Sequence, residues 1–242
     1  MKVLHLIASV DPATGGPIEG IFQSAAIWTA EGLGERHIAS LDAPAAPWVA
    51  RCPLTVFPLG PRARRYGYAP RFVPWLRANV GNYDAVVVNG LWNYTARGAQ
   101  RVLVGGPTPY FVFPHGMLDP WFRRSAPVKT LAKQLVWWFA DGPLLNNARQ
   151  VLFTTAEECR LAQGAFWPYR VRAHVLGYGT ADVAGDAASQ VAAFRAGVPT
   201  LGERPFLLFL GRLHPKKGCD LLIEAYAETA RADLDLVIAG PD

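Results

Sequence analysis

Two cations in one short loop are the residues whose types and spacing most plainly fit a chemical task. Arg212 and Lys217 lie in the run Arg212-Leu-His-Pro-Lys216-Lys217-Gly218. Before it stands an apolar run, 206–210, closed by Gly211, which reads as a buried parallel strand. After it, Leu221, Leu222, Ala225 and Tyr226 recur at helical spacing, with Asp220 as the expected N-cap. A second apolar run, 234–239, ends in Gly240-Pro241. Strand, loop, helix and strand make one βαβ unit. The first turn of its helix offers backbone N–H groups and a partial positive charge. Arg212 adds a planar donor fork, and Lys217 adds a compact charge. Each charge-assisted contact is worth about 1.5–3 kcal/mol, so the loop fits a diphosphate. A solvated basic turn fits the same letters. Neither the Walker loop nor G-x-G-x-x-G occurs in the chain.

The remaining candidates each follow an expected strand. Gly15 and Gly16 come after strand 3–9, at the start of a helix expected over 17–33, where glycine lets a ligand approach the backbone. Asn89-Gly90 closes strand 84–89, and Trp92 follows as a possible stacking platform for a sugar ring, while Tyr94 reads as core. His115-Gly116 follows strand 110–114, with Asp119 four residues on. Tyr178-Gly179 follows strand 172–176. In a doubly wound sheet these C-terminal ends share one edge, which is where ligands bind. The expectation is a cleft with the Arg212 loop on its opposite side.

The elements that must position these residues read as follows. Further strands are expected at 36–41, 54–59 and 150–155, and helices at 70–80, from 94 to about 103, and at 127–140. Residues 42–53 read as a loop. Thr155 and Glu158 have the spacing of a capping box, which accounts for Glu157 and Glu158 without catalysis. In helix 127–140, Val128, Leu131, Leu135 and Trp138 share one face. That face either packs on the sheet or, with Trp137, Trp138 and the cations Arg123 and Arg124, enters a membrane interface. Arg62, Arg64 and Arg65 belong either to a solvated loop or to an anionic contact.

The run GRL-x-x-x-KG-x-D-x-LI-x-A, followed by AGPD, resembles the donor-diphosphate motif of group 1, family 4 retaining glycosyltransferases of GT-B fold. PHGMLDPW resembles the subgroup that builds bacterial polysaccharides. The resemblance implies a doubly wound, Rossmann-like acceptor-side domain over 1–180, a linker over 181–204, and over 205–242 the first βαβ unit of a second, nucleotide-sugar-binding domain. It implies that Arg212 and Lys217 hold the diphosphate, with Gly15 and Gly16 also on the donor, and that His115 lies near the reacting carbon as the catalytic-site residue. Asn89, Trp92 and Asp119 would face the acceptor. The implied activity is hexosyl transfer from a nucleotide-sugar to a saccharide or lipid-linked acceptor. No metal or other cofactor is expected, because cations and a helix dipole neutralise the leaving group. Where the family more often has a Pro-Asn-Gly-Val-like turn, this chain has Gly177-Tyr178-Gly179-Thr180. The family's second domain continues through an E-x7-E motif that does not appear here, so the resemblance implies a piece of a longer protein, inactive alone. The rival is a shortened GT-B chain that binds nucleotide or a partner without transfer.

Composition narrows the classes. The chain has 242 residues, 51% of them apolar, which supports a sizeable core. A net charge of +5 suits anionic partners, but no nucleic-acid-binding signature occurs. Cys52, Cys159 and Cys219 lie far apart and read as reduced thiols of a cytoplasmic protein, one that can touch the inner membrane face.

Overall fold

Seven strands pair side by side, every pair parallel. They are β1 (Lys2–Ile7), β2 (Glu35–Ser40), β3 (Thr55–Pro58), β4 (Ala85–Asn89), β5 (Tyr110–Phe113), β6 (Gln150–Phe153) and β7 (Ala173–Val175), in the order β3-β2-β1-β4-β5-β6-β7. The computed structural model describes the chain except residues 64–65, 122–126, 178, 180–184 and 242, and for 127–129 it describes the backbone alone. The expectations for Arg64, Arg65, Arg123, Arg124, Val128 and Tyr178 lie outside the described residues.

A parallel sheet must be covered on both faces. One face of β1 and β4 presents Leu4, Leu6, Val86 and Val88 to α3 (Phe72–Asn79), α4 (Tyr94–Leu103) and Leu144 and Leu145. The other face presents Ile7 and Ile38 to Ile18 and Ile21 of α1 (Gly16–Ala30). Helices on both faces make the sheet doubly wound, and the strand order reverses between β1 and β4. The loop expected over 42–53 contains a short helix, α2 (Pro47–Ala50).

The expected helix 127–140 is not uniform. α5 (Pro127–Val136) passes into a π turn over Trp137–Asp141 and then into α6 (Gly142–Asn147). The π turn rotates the following side chains away from the α-helical register. Trp137 becomes fully buried, while Leu131, Leu135 and Trp138 are exposed, so the apolar face read from the sequence does not pack on the sheet. At α7 (Ala156–Ala162), Thr155 Oγ1 accepts from the Glu158 N–H, but the Glu158 carboxylate does not reach back to Thr155. The capping box is therefore half formed.

Two compact units divide the chain, Met1–Ala181 and Asp182–Asp242. The second holds α8 (Ala187–Gly197), β8 (Phe206–Leu210), α9 (Cys219–Glu228) and β9 (Asp235–Ala239), with β8 and β9 parallel. Residues from Asp182 onward group with this unit, and Phe194 of α8 stacks on Phe206 at 5.4 Å. Leu207, Leu208, Leu210, Leu221 and Ile223 remain exposed, because two strands and their helices cannot cover both faces. Asp220 is not the N-cap of α9; Gly218, in the left-handed region at φ 68°, takes that position.

Close packing of α4 on α3 gives a sign test. A Cβ on Gly98 would lie 2.5 Å from the ring of the fully buried Phe72. Gly98→Ala, normally worth about 1 kcal/mol in favour of a helix, is expected instead to destabilise the protein by about 1–3 kcal/mol in urea denaturation.

Candidate functional site

Register brings the first two functional side chains together. Asn89, the last residue of β4, stands opposite Phe113, the last of β5, and His115 follows two residues later. The buried Asn89 side chain lies between two backbone carbonyls, with Nδ2 donating to Leu6 O at 3.4 Å and to Val87 O at 3.3 Å. Carbonyls accept only, so the amide nitrogen must face them. Oδ1 is thereby left for His115 Nε2, at 3.0 Å. An oxygen acceptor there requires a proton on Nε2, so Nδ1 is the acceptor nitrogen of His115. Asn89 Nδ2 also meets His5 Nδ1 at 3.5 Å.

Both imidazoles are neutral at pH 7. Burial pushes His115 down to about 4, against a weaker pull from the Glu158 charge. Burial also pushes His5 down to about 3, with the charges of Arg36 and His115 adding to the effect. Phe113 stacks on His115 with ring centroids 4.4 Å apart.

The loop holding His115 is strained and braced. His115 sits at φ 51°, in a region a side chain occupies at a cost of about 1–3 kcal/mol. The bracing comes from Glu158, whose carboxylate accepts from Gly116 N at 2.7 Å, Thr154 N at 2.8 Å and Thr154 Oγ1 at 2.6 Å. The β1 loop has a similar brace that spacing did not reveal. Buried Asp42 accepts from Ser9 Oγ at 2.6 Å, Val10 N at 2.8 Å and Trp48 Nε1 at 2.9 Å.

A cavity of about 280 Å³ opens against this pair. His5, Asn89, His115, Arg36, Phe113 and Pro17 are among its lining. Arg36 donates to Ser24 Oγ at 2.6 Å and lies 4.4 Å from the Trp28 ring. Gly15 and Gly16 stand just before Pro17, at the start of α1. Gly15 adopts φ 86°, and open space lies where a Cβ would be on either glycine. The structure thus brings His115, Asn89 and the α1 N-terminus to one end of the sheet.

Two acceptor-side expectations change. Asn89 is turned inward and holds His115. Trp92, at φ 63°, donates from its indole to Met117 O at 3.3 Å, packs on Phe166 at 5.0 Å and has Lys133 at 4.8 Å from its ring. Those contacts use the ring for packing and not as a sugar platform. Asp119 Oδ1 accepts from Trp121 N at 2.8 Å, within the loop that carries His115. Beside Trp92 lies Asp141, almost fully buried, which sequence pattern did not mark. Burial pushes its carboxyl up to about 7, outweighing the Trp92 backbone and the Lys133 and Arg97 charges.

In the smaller unit, Arg212 follows β8 after Gly211, and Lys217 ends a single turn at Pro215–Lys217, immediately before the Gly218 cap of α9. Both side chains are exposed. Gly211 N donates to Ala239 O at 2.9 Å and Leu213 N to Pro241 O at 2.8 Å, which fixes the loop at the C-terminal ends of both strands.

Comparison with known proteins places this geometry. Residues 15–179 match the family described as Glycosyl transferase 4-like domain, and residues 192–242 match Glycosyl transferases group 1. Anabaena HepE, solved in complex with UDP and glucose, is similar at 15% identity and a TM-score of 0.66, over 98% of this chain and 60% of that one. Sucrose-phosphate synthase from Thermosynechococcus elongatus is similar at 18% identity and 0.64, over 99% and 62%. A glycosyltransferase from Rickettsia africae is similar at 13% and 0.62, over 99% and 60%. The chain thus has the α/β fold of GT-B structures and spans about 60% of their length. No curated protein matches the sequence significantly.

Groups at the site pull stability in opposite directions with pH. Asp141 keeps its proton when folded, so its contribution falls as pH rises from 3.8 to about 7. His5 and His115 resist protonation when folded, so theirs falls as pH drops below 6.5 towards about 3 and 4. Asp141→Asn is expected to raise the melting temperature relative to wild type at pH 8 but not at pH 4. A lower melting temperature at pH 8 would mean that the carboxylate is paired.

Proposed function

Because the chain belongs to the glycosyl transferase 4-like domain family, we propose that it transfers a hexosyl group from a nucleotide-diphosphate sugar to a saccharide or lipid-linked acceptor. The transfer proceeds with retention, at the inner membrane face, in building a bacterial surface polysaccharide. The observation that carries this reading is the family match over residues 15–179, which spans both the Gly15-Gly16 loop and the Asn89–His115 pair. The donor complexes of Anabaena HepE make UDP-glucose the first donor to try.

In this reading Arg212, Lys217 and the N-terminus of α9 stabilise the departing diphosphate, a task that fixed cations and N–H groups perform without a metal. His115 Nδ1 accepts from a hydroxyl of the donor sugar, and the neutral ring places no competing positive charge beside the reacting carbon. Gly15 and Gly16 admit the donor to the backbone, and Asp119 meets the acceptor.

The test is turnover of the full-length enzyme with a nucleotide-sugar panel, the product's anomer being read by NMR. Lys217→Ala is expected to slow turnover at least about tenfold, equivalent to ~1.4 kcal/mol. Near-wild-type turnover would remove Lys217 from the leaving-group site. Nucleotide-sugar binding with no product from any acceptor would select the binding-only alternative.

A further inference from the structure

Beyond the site, α5 and the π turn after it carry large apolar side chains outward. Leu131 and Phe139 are each 69% exposed, Leu135 50% and Trp138 43%. Leu131 and Leu135, at i and i+4, lead into Trp138 and Phe139 of the π turn, and all four are exposed. A second tryptophan is tied to them. Trp167 is 73% exposed, and its carbonyl accepts from Gln134 Nε2 at 2.6 Å and from Trp138 Nε1 at 2.8 Å. Its N–H donates back to Gln134 Oε1 at 3.2 Å. Trp137 anchors the same helix from below, stacked on Phe166 at 5.3 Å. Single exposed apolar residues need no explanation, but four in succession along one helix with a fifth tied to them do.

Charge says what kind of surface would cover them. Residues 43–156 carry thirteen Lys and Arg against three acids, while the rest of the chain carries eleven against sixteen. Within 120–156 there are five cations and one acid, Asp141, whose side chain is buried. A second copy would bring two predominantly basic segments of chain together. An anionic surface would be attracted, and Trp, Phe and Leu seat well at the level of lipid headgroups.

We propose that α5, the π turn and Trp167 form a docking face for an anionic lipid bilayer, on which the protein lies. Among the described residues no helix is long and apolar enough to cross a membrane, so the contact is interfacial. The face packs on the loop after β4, because Trp92 there has its ring 6.4 Å from Trp137 and 4.8 Å from Lys133. The inference deepens the membrane-face reading above, and its test needs no sugar transfer.

The test is flotation of the intact protein with vesicles of phosphatidylcholine alone or with about one third phosphatidylglycerol. Wild type is expected to float with the anionic vesicles, and to do so less as salt rises. Leu131→Ser/Phe139→Ser changes two mostly solvated side chains, so its melting temperature should match wild type while its partition falls at least tenfold. His115→Ala should float like wild type, which separates this surface from the catalytic reading. Failure of wild type to float, equal partition of the double variant, equal binding to neutral vesicles, or a dimer that the double variant abolishes would each overturn the proposal.

Discussion

The carbonyl oxygens of Leu6 and Val87 decide what kind of group His115 is. They hold the nitrogen end of the Asn89 amide, which turns its oxygen to the imidazole and fixes the imidazole proton on Nε2. Backbone carbonyls of parallel strands cannot be protonated or rotated away, so this choice is as rigid as the sheet. Burial then keeps the ring neutral. What reaches the end of the sheet is an acceptor nitrogen in a fixed direction, not a titrating cation.

Such a group needs a frame that tolerates strain. His115 sits in a left-handed backbone conformation costing about 1–3 kcal/mol. The Glu158 carboxylate, itself held by two bonds from Thr154, accepts from Gly116 N, and a bond to a charged group at about 1.5–3 kcal/mol is enough to offset it. The β1 loop is held by Asp42 in the same manner, so the α1 N-terminus and His115 each have an acidic brace beneath them. The β1 loop leaves the sheet where the strand order reverses, between β1 and β4, and the His115 loop leaves it from β5, the neighbour of β4.

Much of this was legible from residue types. Runs such as Ala85–Asn89 and Phe206–Leu210 read as strands and are strands, although Leu207, Leu208 and Leu210 of the second are exposed, and the glycines at 90, 116 and 211 mark the C-terminal ends of three strands. The direction of individual side chains was less legible. Asn89 looked like an acceptor contact because it ends a strand, but its hydrogen bonds are to residues more than eighty positions away as well as to its neighbour. Trp92 looked like a platform until Phe166, Trp137 and Lys133 arrived from distant helices and loops. Glu158 satisfied a local capping pattern, and its long-range partner, Gly116, is invisible to any short window. Trp137 and Trp138 are the clearest case, since contacts of Trp137 with Phe166, Pro168 and Tyr169 from a distant loop decide which of the two is core.

Imidazole nitrogen NMR on His115 tests the central claim most directly. A neutral ring protonated at Nε2, persisting down to about pH 4 and losing that preference in Asn89→Ala, is what the geometry requires. A midpoint near the ordinary histidine value of 6.5, or a proton on Nδ1, would contradict it.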